Sequence, residues 1–148
     1  MDLAKQYCTF WLDGLFFGVS VEKVKEVLRY QNMTQIPHAP EEVLGLINLR
    51  GEIVTAIDMR KRLCLDDYKG EKKPKNVIIR DPGGAVSLLV DEIGDVVETQ
   101  AQFFEDPPNT MDSQIREMII GVYKLESNLL LILDVDKVIE LDEYKDTV

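Results

Sequence analysis

Alternating apolar positions open the chain and predict a β-hairpin. In an extended strand over residues 8–12, the side chains of Cys8, Phe10 and Leu12 lie on one face. A second apolar run follows at residues 15–19, and the pair Asp13-Gly14 separates the two runs. Because an Asp-Gly pair between apolar runs favours a tight two-residue turn, we expect two antiparallel strands joined there.

The segment after this hairpin, residues 21–28, has its apolar residues at helical spacing. One face of a helix would carry four of these side chains: Val21, Val24, Val27 and Leu28. Ser20 stands directly before them, in the position of an N-cap. The spacing predicts a short helix.

The same order of elements returns in the second half of the chain. Residues 77–81, a turn at residues 82–84 and residues 85–89 again predict a hairpin, and residues 90–97 follow it. At a shift of 69 positions four pairs agree in type: Val21 and Val90, Val24 and Ile93, Glu26 and Asp95, Val27 and Val96. This agreement indicates an internal duplication.

A second correspondence supports the duplication. Residues 45–58 match residues 121–134 at a constant shift of 76, with glycine, leucine and aspartate at equivalent positions. In each copy the aspartate is the expected N-cap of a short helix, over residues 59–63 and residues 135–141.

The two halves cover about residues 7–66 and residues 76–142, and a polar connector at residues 69–75 lies between them. Short antiparallel strands of this kind hide their edges by closing into barrels. We therefore expect a mainly β fold with short helices, built as two small β-barrels. Neither half is large enough to be stable alone, so the barrels should share a core. Residues 143–148 would form a C-terminal tail.

Within the first copy, residues 45–60 carry a row of polar side chains. A regular strand would place three polar side chains on one face and three apolar ones on the other: Asn48, Arg50 and Glu52 against Ile47, Leu49 and Ile53. Gly51 interrupts this regularity and indicates a turn or a bulge. Two interpretations stay open, a half-buried hairpin whose polar residues face water and a polar row that docks a partner.

Composition narrows the classes of function. The chain has 148 residues, a formal net charge of −10 and a sequence pI near 4.6, which argue against a nucleic-acid surface and an anionic membrane. No apolar run approaches the roughly 20 residues that a membrane helix needs. The two cysteines, Cys8 and Cys64, lack a CxxC spacing and fit a reducing cytosol better than a disulfide scaffold.

Candidate catalytic chemistry is missing from the sequence. His38 is the single histidine and has no second metal ligand nearby. The motifs of elbow hydrolases, zinc proteases, dinucleotide-binding proteins and P-loop proteins are absent as well. We therefore expect no enzymatic activity, no cofactor and no metal site.

Short motifs along the chain point to a known family. They are Phe10-Trp-Leu12, Phe17-Gly-Val19, Val24-Lys-Glu-Val27, Ile36-Pro37, Gly45-Leu-Ile-Asn-Leu-Arg-Gly51, Leu89-Val-Asp91 and Leu131-Ile-Leu-Asp134. In this order they resemble the CheW-like domain family, and the likeness covers residues 5–142. It implies one domain of two packed SH3-like, five-stranded β-barrels without enzymatic activity.

The resemblance also implies partners and a location. Members of the family bridge the cytoplasmic tips of chemoreceptors, the methyl-accepting chemotaxis proteins, to the histidine kinase CheA, whose regulatory domain shares the fold. Other CheW-like domains would join the same ring-like arrays. The expected protein is a cytoplasmic adaptor that is recruited to membrane-associated receptor arrays, without nucleic-acid binding or membrane insertion. Two alternatives stay open: a small-molecule-sensing module, and an adaptor of a non-flagellar, type IV pilus pathway.

Candidate partner-binding residues follow from the resemblance and from the polar row. The resemblance places five residues at partner-contact positions: Val24, Glu26, Gly45, Arg50 and Gly51. The polar row adds Asn48 to them. Arg50 would form bidentate hydrogen bonds with a partner, and Glu26 would pair with Arg50 or with a partner cation. The competing interpretations are a core role for Val24 and a purely backbone role for the two glycines.

Overall fold

Two β-sheets and three short α-helices form the part of the chain that the computed structural model describes, residues 4–141. The terminal sheet contains β1 (Ala4–Leu12), β2 (Leu15–Ser20), β8 (Glu92–Ile93), β9 (Val97–Gln100), β10 (Ile119–Lys124) and β11 (Leu129–Leu133). The central sheet contains β3 (Val24–Leu28), β4 (Val43–Leu49), β5 (Glu52–Asp58), β6 (Lys75–Asp81) and β7 (Gly84–Val90). The predicted mainly β architecture is confirmed, and the predicted tail at residues 143–148 lies outside the described residues.

The strand orders are β10-β11-β2-β1-β8 in the terminal sheet, where β9 also pairs with β1, and β3-β6-β7-β5-β4 in the central sheet. The predicted hairpin at the start of the chain is present as β1 and β2. Asp13 and Gly14 have φ angles of 51° and 78°, as a type I′ turn requires, and Leu12 pairs with Leu15 across it.

The α-helices are short and begin after aspartate caps: α1 (Met59–Arg62), α2 (Ser113–Arg116) and α3 (Val135–Ile139). The Asp58 carboxylate accepts a hydrogen bond from the Arg60 backbone N–H at 3.0 Å. Asp134 accepts one from the Lys137 backbone N–H at 3.3 Å. Both predicted N-caps are confirmed, although α1 and α3 end before the expected residues.

The predicted helix over residues 21–28 is wrong. A short 3₁₀ turn (Val21–Lys23) leads directly into strand β3, and the Ser20 side chain forms no capping hydrogen bond in the described structure. Strand β3 pairs with β6, where Val27 lies opposite Val77. Valine side chains suit a strand at least as well as a helix, and pairing with a neighbouring strand decides between the two.

The two halves of the sequence exchange their hairpins. Hairpin β1–β2 of the first half joins the terminal sheet with strands of the second half, whereas β6–β7 of the second half joins the central sheet. The registers follow the sequence shifts: Tyr7↔Val97 corresponds to Asn76↔Leu28, Phe10↔Ile93 to Ile79↔Val24, and Leu131↔Phe17 to Thr55↔Val86. Each sheet therefore contains strands from both halves of the sequence. The sequence alone predicts instead that each half forms its own barrel.

Apolar side chains collect in three clusters. The interior of the terminal sheet holds Tyr7, Phe16, Tyr123, Leu130 and Ile132, and that of the central sheet holds Ile47, Leu49, Val54, Ala56 and Ile78. The largest cluster, here called the shared cluster, includes Phe10, Phe17, Val77, Ile79 and Leu88, contributed by both exchanged hairpins. Each exchanged hairpin buries some residues in the interior of its own sheet and others in the shared cluster. Neither sheet therefore has a core independent of the other.

Candidate docking surface

The turn between β4 and β5 consists of two residues, Arg50 and Gly51. Their φ angles are 50° and 87°, so both central positions are left-handed, as in a type I′ turn. The Asn48 side-chain oxygen accepts a hydrogen bond from the Gly51 backbone N–H at 3.0 Å. Gly51 relieves the strain of this conformation at one position, and the turn projects Arg50 away from the sheet. The predicted break at Gly51 is therefore a turn.

This geometry corrects the expected faces of the hairpin. Arg50 lies in the turn and not in a row along the strand. Ile53, expected on the buried face with Ile47 and Leu49, is 58% exposed and pairs across the strands with exposed Asn48. Residues that pair directly across two antiparallel strands lie on the same face of the sheet. Ile53 therefore shares the exposed face with Asn48.

An ion pair links this turn to strand β3. The Arg50 guanidinium donates to the Glu26 carboxylate, and these side chains are 69% and 24% exposed. Beside it, the Lys25 ammonium lies 2.9 Å from the Glu52 carboxylate. Of the two roles expected for Glu26, the described structure shows pairing with Arg50. Because exposed pairs of this kind add little stability, a partner could compete for Arg50 at low cost.

Val24 and Gly45 lie within β3 and β4, outside this turn. Val24 is half-buried against the shared cluster, so the core role that competed with partner contact fits its position. Gly45 is buried, and a Cβ added to it would lie 2.5 Å from the Thr34 carbonyl oxygen. Thr34 and Leu46 exchange two backbone hydrogen bonds at this point, of 2.8 and 2.7 Å. Glycine is therefore required here for close approach of two backbone segments.

We define the turn surface as Glu26, Asn48, Arg50, Gly51 and Ile53. It unites a cation in the β4–β5 turn, an amide on β4, an exposed isoleucine on β5 and a carboxylate on β3, which the ion pair with Arg50 brings to the turn. Four of its residues were predicted from sequence. Ile53 was missed because strand alternation was carried through a turn that changes the facing of the residues after it.

Between residues 4 and 141 no three His, Cys, Asp or Glu side chains converge as metal ligands. His38 is exposed in a turn. Within the same range no helix is long and apolar enough to cross a membrane.

Comparisons with known proteins agree on one family. A family model described as the CheW-like domain matches residues 6–143. The chemotaxis protein CheW of Bacillus subtilis is 30% identical over 139 residues, which cover 94% of this chain and 89% of the relative. Protein PilI of Pseudomonas aeruginosa is 24% identical over 122 residues, covering 82% and 68%.

A solved structure extends this likeness to the fold. The scaffolding protein TtCheW from Thermoanaerobacter tengcongensis superimposes with a TM-score of 0.84 at 27% identity, covering 95% of each chain. Its similarity over nearly the whole length confirms the expected fold class, two packed SH3-like units related by internal duplication.

Proposed function

The chain belongs to the CheW-like domain family, and from this premise we propose that it is an adaptor that couples chemoreceptors to the histidine kinase CheA. The observation that carries the proposal is the end-to-end match to CheW of Bacillus subtilis, supported by the structural likeness to the scaffolding protein TtCheW. Matches over nearly the full length on both sides support a common role better than a shared fold alone would.

The proposed partners are the regulatory domain of CheA, the cytoplasmic tips of chemoreceptors and other CheW-like domains in ring-like arrays. In this role the protein acts by binding and catalyses no reaction, and it reaches the membrane through the receptors. An adaptor needs interfaces that form and separate, and such interfaces combine a small apolar contact with a polar rim. The exposed Ile53 beside Arg50 and Asn48 fits that description.

Within this function we assign contact roles to the turn surface. Arg50 would leave Glu26 and donate two parallel hydrogen bonds to a partner carboxylate or to backbone carbonyls. Asn48 and Gly51 hold the turn that presents Arg50. Val24 and Gly45, the other candidate residues, would act indirectly by fixing β3 and β4, the strands that carry Glu26 and Asn48.

Binding measurements on matched arginine variants test the proposal. Arg50→Ala should weaken binding to the cognate kinase regulatory domain roughly tenfold, measured by isothermal titration calorimetry. The control is Arg80→Ala, which removes another exposed arginine from β6 and should leave the affinity unchanged. Failure of the unsubstituted protein to bind any cognate kinase or receptor would overturn the adaptor function itself. Equal losses in both variants would overturn only the role of the turn surface.

A second candidate is an adaptor of a non-flagellar, type IV pilus pathway. The similarity to Protein PilI of Pseudomonas aeruginosa is the observation that favours it. Parallel pull-downs with the kinases of the two kinds of pathway from the source organism would decide between them. Selective capture of the pilus-pathway kinase would replace the first proposal with the second.

A further inference from the structure

Two adjoining cavities lie beside the loop at residues 66–74, away from the residues of the turn surface. The first has a volume of about 450 Å³, and its apolar lining includes Leu44, Tyr30 and Tyr68. The second, of about 460 Å³, is lined by Tyr30 and four cationic side chains. Both volumes fall in the range of about 300–1,000 Å³ that is usual for ligand sites. Because Tyr30 and Lys73 line both, the two cavities form one continuous basic-aromatic groove.

The carboxylates in this groove already have partners. Asp91 accepts two hydrogen bonds from the Arg60 guanidinium, at 2.9 and 2.6 Å. Asp58 caps α1, and Arg60 also lies 5.2 Å from the centre of the Tyr68 ring. The negative charges of the groove are therefore largely compensated from within, and they would oppose an incoming anion less than free carboxylates.

The cationic side chains at the rim of the groove have few bonding partners within the described residues. The side chains of Arg29 and Lys72 are exposed and form no hydrogen bond or ion pair with any residue in the described range 4–141. Lys73 lies 5.3 Å from the centre of the Tyr30 ring, and Lys75 is 3.7 Å from the Glu92 carboxylate. On a chain of net charge −10, four cationic side chains are thus gathered at one rim.

We propose that the basic-aromatic groove binds an acidic segment of a partner protein that carries one large apolar side chain. The apolar side chain would lie against Leu44 and between Tyr30 and Tyr68, where an anchor in a pocket supplies most of the affinity. Carboxylates on either side of it would pair with Arg29 and Lys72. This site is separate from the turn surface and does not depend on the proposed function.

The chemistry of the groove favours this occupant over other anions. A free inorganic anion would use the cations but leave the two tyrosines and Leu44 uncovered. A nucleic acid would bring a long row of phosphates against a chain whose net charge is −10. A short peptide needs only a few negative charges, and its apolar side chain uses the rest of the groove.

Fluorescence polarisation with short labelled peptides tests the proposed occupant. The peptide Glu-Glu-Phe-Glu-Glu should bind saturably, and added salt should weaken it because the contacts are ionic. Glu-Glu-Ala-Glu-Glu and Lys-Lys-Phe-Lys-Lys should each bind at least roughly tenfold more weakly. Saturable binding of a single-stranded oligonucleotide in preference to all peptides would instead assign the groove to nucleic acid. Absence of peptide binding up to about millimolar concentration would overturn the proposal.

Paired charge reversals locate the binding. Arg29→Glu combined with Lys72→Glu should weaken the acidic peptide at least roughly tenfold. Lys23→Glu combined with Arg80→Glu changes the net charge equally at exposed positions outside the groove and should have little effect. Equal losses in both variants would show that net charge alone is responsible and would overturn the site. Thermal melts verify that both variants fold, and kinase binding should stay unchanged in the groove variant, which separates this test from that of the adaptor function.

Discussion

The two hairpins β4–β5 and β10–β11 are the same element in the two copies of the duplication, and they differ mainly at their ends. Both contain a register shift at an equivalent glycine, Gly45 or Gly121, and both lead to a capping aspartate. Each also receives an equivalent bridge from a loop residue, Thr34↔Leu46 and Glu105↔Val122. The shared framework extends down to individual backbone pairs.

Their turns have diverged in geometry and charge. Arg50 and Gly51 both have positive φ angles. Glu126 and Ser127, at the equivalent positions, are not among the residues with positive φ in the described range 4–141. The second turn is closed by a hydrogen bond of 2.8 Å from the Leu125 N–H to the Asn128 carbonyl. The first copy thus presents an arginine where the second presents a glutamate, on the same scaffold.

The helices after the hairpins differ as well. Helix α1 carries Arg60 and Arg62, and the equivalent positions of α3 are Asp136 and Val138. Arg60 binds Asp91, which lies between β7 and β8. Arg62 donates to three carbonyls at the end of α3: Lys137 at 2.8 Å, Val138 at 2.8 Å and Glu140 at 3.0 Å. The first copy therefore supplies arginine contacts that hold other parts of the molecule in place, in addition to the exposed arginine of its turn.

The largest expected effect comes from removing the inward-facing arginine of α1. Arg60→Ala leaves the Asp91 carboxylate, only 16% exposed, without its bidentate partner. We expect the free energy of unfolding to fall by about 3 kcal/mol, as when one member of a buried ion pair is removed. Urea denaturation measures it. The matched control, Asp136→Ala at the equivalent position of α3, is exposed and should change stability by less than about 0.5 kcal/mol. Similar losses in the two variants would contradict the assigned difference between the helices.

The two equivalent glycines should tolerate a methyl group differently. Gly45→Ala would press a Cβ against the backbone carbonyl of Thr34, which is fixed by two hydrogen bonds, so a loss of about 2 kcal/mol is expected. Gly121→Ala would meet the ring of Phe104, a partly exposed side chain that can rotate away. Its loss should be clearly smaller in the same denaturation experiment. A larger loss for Gly121→Ala would show that the second copy is the more tightly packed.

A charge swap separates the internal role of Arg50 from its role toward a partner. Arg50→Glu alone places two carboxylates together and should lower stability by up to about 1 kcal/mol. Combining it with Glu26→Arg restores an internal ion pair and should recover most of that stability, while kinase binding stays roughly tenfold weaker. Recovery of binding together with stability would make the pair structural. Glu126→Ala, in the second turn, should leave both quantities unchanged.

Sequence patterns predicted the local features of the fold and missed those set by distant contacts. Asp13-Gly14 and the two aspartate caps were identified because their conformations depend on neighbouring residues alone. The segment Val21 to Leu28 was predicted as a helix because its spacing suits both structures, and pairing with β6 decides the outcome.

The exchange of hairpins was invisible for the same reason. A duplication specifies that two halves fold alike, but not which half supplies each strand to a sheet. The repeat and the resemblance together put forward Arg50, Asn48 and Glu26 as candidate site residues, whereas Ile53 was assigned to the wrong face. No sequence signal distinguished Arg60 from an exposed helical arginine, because its role depends on Asp91 from another sheet region.

The smallest expected effect concerns Asp58, the capping aspartate that has its equivalent in Asp134. Burial raises the pKa of the Asp58 carboxyl above its ordinary value, and hydrogen bonds from the Lys61 and Arg60 amides only partly offset this. Its folded-state pKa therefore exceeds the unfolded-state value of about 4. Asp58 contributes stability below that unfolded-state value, and the contribution is lost as the pH rises through the folded-state pKa.

Asp58→Asn keeps an oxygen for the cap and removes this titration. Relative to the parent protein, the variant should therefore gain stability from acidic to neutral pH, measured by urea denaturation across that range. A stability difference that is the same at both ends of the range would contradict the assigned burial effect. The cap would then behave as a purely local feature of the shared framework.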